Sequence, residues 1–227
     1  MSDEETLRSE ALRLYRRYAV EIVEGLSFCP YAEKTREDGH TRELVVTDEA
    51  PTDAAILEAI EAIATDPVVH VGFVILPWLA LDQPALGHRV EDLRKAHFAV
   101  RGRTVVAIEG FHPRAAPDVS AAERLTPFVR RTPDPTLQLT RLDVLERVRR
   151  GTPTGTAFFD PEAMDLETLL GEPVKAPLHE RIADTNLETV LRLGVEEVEA
   201  RLRDILRDRD ARYAAIDPRI PRWAEST

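Results

Sequence analysis

The stretch Leu26-Ser27-Phe28-Cys29-Pro30-Tyr31-Ala32-Glu33 holds the only cysteine of the 227-residue chain, and Lys34, Arg36, His40 and Arg42 follow closely. A thiol is the most nucleophilic side chain near neutral pH, provided something stabilises its thiolate. A lone cysteine between aromatics is also a common small core hydrophobe, so the functional reading needs a source of thiolate stabilisation. Pro30 suits the first position of a new helical turn, which would put Cys29 at its N-cap. The helix dipole then favours the anion by about 0.3–1 kcal/mol, less than the ~1.4 kcal/mol of one pKa unit. Lys34, Arg36 and Arg42 would have to supply the rest, against the C-terminal end of the preceding helix.

His112, in Gly110-Phe111-His112-Pro113, is the best partner for such a thiolate. It follows the carboxyl end of a predicted strand, where open α/β sheets gather their ligand sites. A Cys29–His112 pair could run acyl transfer or another thiolate step, with the imidazole as acid or base. Arg131, in the pair Arg130-Arg131, could grip a carboxylate or phosphate with its fork, and Arg42 could assist. Cys29, His40 and His112 form an alternative metal set, although their spacing does not require one. The chain has no paired Cys-x-x-Cys, His-Glu-x-x-His, EF-loop, Gly-x-Gly-x-x-Gly or Walker pattern, so no cofactor is specified. Cys-Pro also occurs as a haem-ligating dipeptide, a two-residue match only.

These residues need a frame. Leu7, Ala11, Leu14, Tyr18, Ile22 and Leu26 predict one helix over 4–26. Strands are expected at 42–46, 68–76 and 104–109, separated by helices opening at Pro51-Thr52-Asp53 and spanning 82–99. Asp134-Pro135 reads as the N-cap and first residue of a helix to 150. An edge strand at 156–159 and a short helix at 161–170 are expected next, inside a probable insertion or linker over 151–180. Thr185-x-x-Glu188 is a capping-box pattern opening a long C-terminal helix over 181–215. The β-α-β-α-β order predicts a single α/β domain over 1–227, with a small, mainly parallel sheet of three or four strands flanked by helices. A ferredoxin-like α+β arrangement is the main rival.

Apolar residues make up 43% of the chain and charged residues 31%, which suits a soluble protein with one sizeable core. The net charge of −11 argues against a nucleic-acid partner. The longest apolar run, 71–80, is about half of a membrane span. With one cysteine and no secretory pattern, the expected location is cytoplasmic. The expected partner is a small anionic ligand, and a homodimer through the C-terminal helix stays open.

Cys-Pro-Tyr-Ala at 29–32, Phe-His-Pro at 111–113, the stretch from Arg131 to Arg141 and Asn186-Leu-Glu-Thr-Val-Leu-Arg-Leu-Gly194 resemble, in that order, the signatures of an uncharacterised bacterial family, a domain of unknown function. The resemblance covers about residues 15–195 and brings no reaction with it. It implies that Cys29, Pro30, His112, Pro113, Arg131, Arg141 and Asn186 are signature positions, with Arg141 and Asn186 as further substrate contacts. Tyr31 and Gln138 depart from the family pattern, the latter where a histidine is expected. The resulting expectation is a Cys-dependent enzyme of small-molecule metabolism acting on an anionic substrate. The alternative is a regulatory module that binds a metabolite, haem or a metal without turnover.

Overall fold

The computed structural model describes residues 2–151 and 177–224. Helix α1, Asp3–Arg17, opens on a capping box: the Ser2 hydroxyl accepts from the Glu5 N–H, and the Glu5 carboxylate accepts from the Ser2 N–H. It buries Leu7, Ala11, Leu14 and Tyr15. The chain then runs straight into a π-helical segment, Tyr18–Glu24, which buries Tyr18 and Ile22. Apolar spacing gives no sign of this wider turn, a feature that often lies beside functional sites.

Four strands follow, β1 Thr41–Val45, β2 Val71–Ile75, β3 Val106–Phe111 and β4 Thr136–Arg141, in the sheet order β1-β2-β4-β3. α2 Ala32–Glu37 precedes β1, and α3 Asp53–Ala64, α4 Gln83–Arg101 and α5 Ala122–Val129 lie between successive strands. After β4 come α6 Leu142–Gly151, α7 Leu178–Leu193 and α8 Val195–Ile216. The fold is α/β, with an open four-stranded sheet flanked by helices and a long C-terminal helix.

The sheet is mixed rather than mainly parallel. β1 and β2 pair in parallel, but β4 runs antiparallel between β2 and β3. The discrepancy lies in 136–141, where Thr-Leu-Gln-Leu-Thr-Arg forms a strand and not the start of a helix. Its Leu137 and Leu139 alternate into the core with polar neighbours between them, a period of two that outweighs the Asp134-Pro135 signal. The strand order also differs from the ferredoxin-like rival, because β4 separates β2 from β3. As expected, the apolar run at 68–76 supplies an interior strand.

Two cores cover the two sheet faces. On one, Ile56, Ile60 and Ile63 of α3 and Leu86, Val90 and Leu93 of α4 pack on Val74, Ile108, Leu137 and Leu139. On the other, α1, the π-helical segment, α5, α7 and α8 pack on Val45 and Ile75. The C-terminal region is two helices, divided at Gly194, whose φ of 91° suits glycine. Thr185 is not a cap; it sits inside α7, and its hydroxyl donates to the Arg181 carbonyl. α8 buries Val198, Leu202, Ile205, Leu206 and Tyr213 within the chain, and Asp208 receives Arg13 and Arg17 of α1 at 2.9 and 2.7 Å. A dimer through this helix would therefore have to use its charged outer face. No helix among the described residues is long and apolar enough to cross a membrane. The strand expected at 156–159, the helix at 161–170 and most of the expected 151–180 insertion lie outside the described residues.

Candidate functional site

The loop 25–31 carries Cys29 and is held at both ends. Ser27 takes a left-handed φ of 58°, the only non-glycine among the described residues to do so, and the Phe28 N–H reaches back to the Val23 carbonyl at 2.8 Å. Phe28 and Leu26 are buried, which leaves Cys29 part-exposed. Across the loop, the Arg36 guanidinium grips the Glu24 carboxylate with two bonds, 2.8 and 2.9 Å. The first residue of α2 is Ala32 and its N-cap is Tyr31. Cys29 is therefore not a helix cap, because Pro30 and Tyr31 form the turn that precedes the helix.

The sheet register places Glu43, Phe73, Gln138 and Glu109 in one row on the face that α1 covers. The next row, Val45, Ile75, Thr136 and Phe111, is buried, whereas Glu43, Phe73 and Gln138 are half-buried and Glu109 is exposed. Burial thus falls off from the Val45 row to the Glu43 row. Tyr15 rests on Phe73 with ring centroids 4.8 Å apart, and Tyr18 lies 6.1 Å from Tyr15. Gln138 donates to the Thr140 hydroxyl at 3.0 Å, and the Tyr18 hydroxyl donates to the Val129 carbonyl at 2.9 Å.

Burial pushes the Tyr15 phenol well above its ordinary value, with Tyr18 and Glu43 pushing the same way. Burial also raises the Tyr18 phenol, and Arg130 opposes the shift. Burial raises the Glu43 carboxyl, with Arg16 and Arg36 offsetting part of the effect. Among the described residues, Glu43 has no ion-pair partner.

That unpaired carboxyl should register in stability. Its folded-state pKa lies above the ordinary 4.5, so the unfolded chain releases its proton first as pH rises. The penalty is absent in acid, begins near the ordinary value and is complete above the folded one. Glu43→Gln should therefore raise the melting temperature at neutral pH, with the gain fading as pH falls below the ordinary glutamate range. Melting curves across pH test this, and a neutral-pH loss in Glu43→Gln would contradict it.

The structure separates the sequence-derived candidates. His112 lies on the α3–α4 side, with its Nε2–H donating to the Leu81 carbonyl at 2.9 Å and its Nδ1 accepting from the Arg114 N–H at 3.1 Å. Both ring nitrogens are engaged, the ring meets Trp223 edge-on, and burial lowers its pKa. His112 is thus a neutral clamp between the β2–α4 loop, the end of β3 and the C-terminal tail. Cys29 follows the π-helical segment, which packs on the opposite face, and no hydrogen bond joins it to His112, whose two ring nitrogens are taken. Arg131 donates to the Pro113 carbonyl at 2.8 Å, meets Glu199 at 3.5 Å and packs on the Phe128 ring, leaving its fork engaged. Arg42 and Arg141 converge on Asp66 on the α3 side, through its carboxylate and its carbonyl, and Arg141 also chelates Asp143. Asn186 is buried in α7, which packs on α5. His40 stacks on His70 at 4.0 Å and bonds the Val68 carbonyl. Among the described residues, no three His, Cys, Asp or Glu side chains are gathered to hold a metal, so Cys29, His40 and His112 do not form the alternative set.

Tyr15, Glu43 and Gln138 lie on the α1 face without having been singled out as site residues, and Arg130, read only as part of the Arg130-Arg131 pair, lies over the Phe111 ring. One signal was readable: Thr41, Glu43 and Val45 alternate in a strand, which aims a carboxylate at the face that buries Val45. The distinction between Arg130 and Arg131 was not readable, because it depends on which side of the α5 end each one leaves.

Comparison with curated proteins and with solved structures finds no match. A family model described as "Protein of unknown function (DUF1415)" matches residues 11–168. The matched span includes Cys29, Glu43, His112, Arg130, Arg131, Gln138 and Arg141 and ends before Asn186. Matched over more than half its length, the chain belongs to this family of proteins of unknown function.

Proposed function

We propose that the protein is an enzyme of small-molecule metabolism whose reactive centre is Cys29, on the loop after the π-helical segment, acting on a small anionic substrate. The observation that carries this reading is a part-exposed thiol on a loop held by the left-handed Ser27 backbone, with a half-buried carboxyl, Glu43, that has no ion-pair partner among the described residues on the sheet face that α1 covers. A half-buried carboxyl without an ion-pair partner is costly, and such groups cluster at working sites. Cys29 serves as the nucleophile. Burial raises the Glu43 carboxyl, which makes it the candidate acid–base group for the proton that moves as the thiolate attacks. Tyr15 and Gln138 offer neutral hydrogen bonds for orientation. His112 contributes by fixing the loops at the end of β3 and not by proton transfer.

The test is the pH dependence of iodoacetamide alkylation at Cys29. In the native wild type the thiol should react. In Glu43→Gln the profile should move to lower pH, because removing a nearby carboxylate eases thiolate formation. Glu33→Gln, in the first turn of α2, is the control and should move it little. A thiol that resists alkylation until the protein unfolds would remove the basis for the enzyme reading.

A further inference from the structure

We propose that the cavity at the carboxyl ends of β1 and β2 binds a small organic cation, a protonated amine carried on an apolar chain. β1 and β2 are the one parallel pair among the described strands, and open α/β sheets gather ligands outside the carboxyl ends of such strands. The loops that leave these two strands meet there with the start of α1, one side of α3 and the end of α8. The cavity holds about 680 Å³, within the range of small-ligand sites, and Cys29 does not line it. Its floor is apolar: Leu7 of α1, Leu44 of β1, Ala55 and Ala59 of α3, Trp78 and Ile216. Leu44, Trp78 and Ile216 are only half-buried, so part of this apolar surface faces the cavity.

Charge selects the ligand. Six carboxylates line the cavity against two guanidinium groups, and the protein already holds both of the latter. Arg8 meets Glu4 at 3.0 Å and the Val45 carbonyl at 2.8 Å. Arg219 grips Glu49 at 2.7 and 3.0 Å and also pairs with Asp217. Asp3, Asp48 and Glu58 line the same cavity with no ion-pair partner among the described residues. Exposed carboxylates cost little in water by themselves; around an apolar hollow they favour a ligand that brings both a cation and a hydrocarbon body. A second contact shows how the wall receives such a cation: the Arg219 guanidinium lies 5.6 Å from the centre of the Trp78 ring. Arg219 thus makes, from within the chain, the contacts an amine would make, with an aromatic face and two carboxylates. The Arg8 bond to Val45 closes the free edge of β1 at this point, which favours a small ligand over an added peptide strand.

Hexylamine, 1-hexanol and hexanoate share one chain length and differ in charge, so they separate the two contributions. Titrated into the protein, hexylamine should move the indole N–H resonance of Trp78 saturably, with hexanol binding more weakly and hexanoate not at all. The chain has two tryptophans, and Trp78→Phe assigns the signal. Added salt should weaken the hexylamine response. Asp48→Asn/Glu58→Gln, at two exposed positions, should weaken it about fivefold, the size expected for two exposed charge contacts. Arg219→Gln should tighten it, because Glu49, Asp217 and the Trp78 face become free. Hexanol matching hexylamine, or an unchanged midpoint in Asp48→Asn/Glu58→Gln, overturns the cation assignment. An unchanged or weaker midpoint in Arg219→Gln overturns the role given to Arg219. No saturable shift with hexylamine overturns the site, while leaving the Cys29 reading to its own test.

Discussion

Arg209→Met should destabilise the protein by about 3–5 kcal/mol, the usual consequence of removing one partner from a buried ion pair. Arg209 is fully buried in α8, and its Nε donates to Asp134 at 2.8 Å. Its other nitrogens donate to Asp210 at 2.7 Å and to the Pro77 carbonyl at 3.2 Å. The Tyr213 hydroxyl donates to the second Asp134 oxygen at 2.8 Å, and the Tyr213 ring lies 4.4 Å from the guanidinium. This knot joins α8, the β2–α4 loop and the start of β4. Asp210 extends it by accepting the backbone N–H groups of Trp223 and Ala224, which fastens the C-terminal tail. For a chain of this size the loss corresponds to a melting-temperature fall on the order of 10 °C. Arg209→Met combined with Asp134→Ala should recover part of it, because the stranded carboxylate is then gone. A loss under about 1 kcal/mol for Arg209→Met would show that water replaces the guanidinium and that the knot is not dry.

This knot marks where the sequence stops being legible. Helices with a clear apolar stripe, such as α1 and α3, are readable because their partners need only be apolar. The interior strand at 71–75 is readable because a continuous apolar run has few other places to go. The Arg209–Asp134 pair is not: one residue lies in a helix laced with charge, the other before a proline, where a helix cap is the ordinary reading. Arg209 falls on the buried stripe of Leu202, Leu206 and Tyr213, unlike its exposed neighbours Arg207 and Arg212, but that spacing does not name its partner. The same limit applies to the site. Cys29 stands out by residue type, but the sheet face on its side of the molecule is set by a strand order fixed only when β4 inserts between β2 and β3. His112 looked like its partner because it follows the carboxyl end of a strand, where open α/β sheets gather their sites, yet Phe111 and His112 leave β3 on opposite sides of the sheet.

Gly72→Ala should destabilise the protein by about 1–3 kcal/mol through overpacking, and trimming Ile63 should relieve much of that strain. Gly72 faces α3 from the interior strand β2. A Cβ built there would lie 2.3 Å from Ile63 Cγ2, 2.9 Å from its Cδ1 and 3.1 Å from its Cγ1. Ile63 is fully buried, so its side chain has little room to turn away, and either α3 or β2 must shift. A shift of β2 also reaches the opposite face. Phe73 is the next residue, and the Tyr15 ring rests on it, tilted by 43° with centroids 4.8 Å apart. Ile63→Ala alone should lose about 2–5 kcal/mol to the cavity it leaves. In Gly72→Ala/Ile63→Ala the new methyl fills part of that space, so the double variant should be more stable than the two single losses predict by about 1 kcal/mol or more. The rate of Cys29 alkylation gives an independent reading of the same coupling: it should change in Gly72→Ala and return toward the wild-type value in the double variant. Additive losses, with alkylation unchanged throughout, would show that β2 absorbs the methyl without moving and that the two faces of the sheet are mechanically separate.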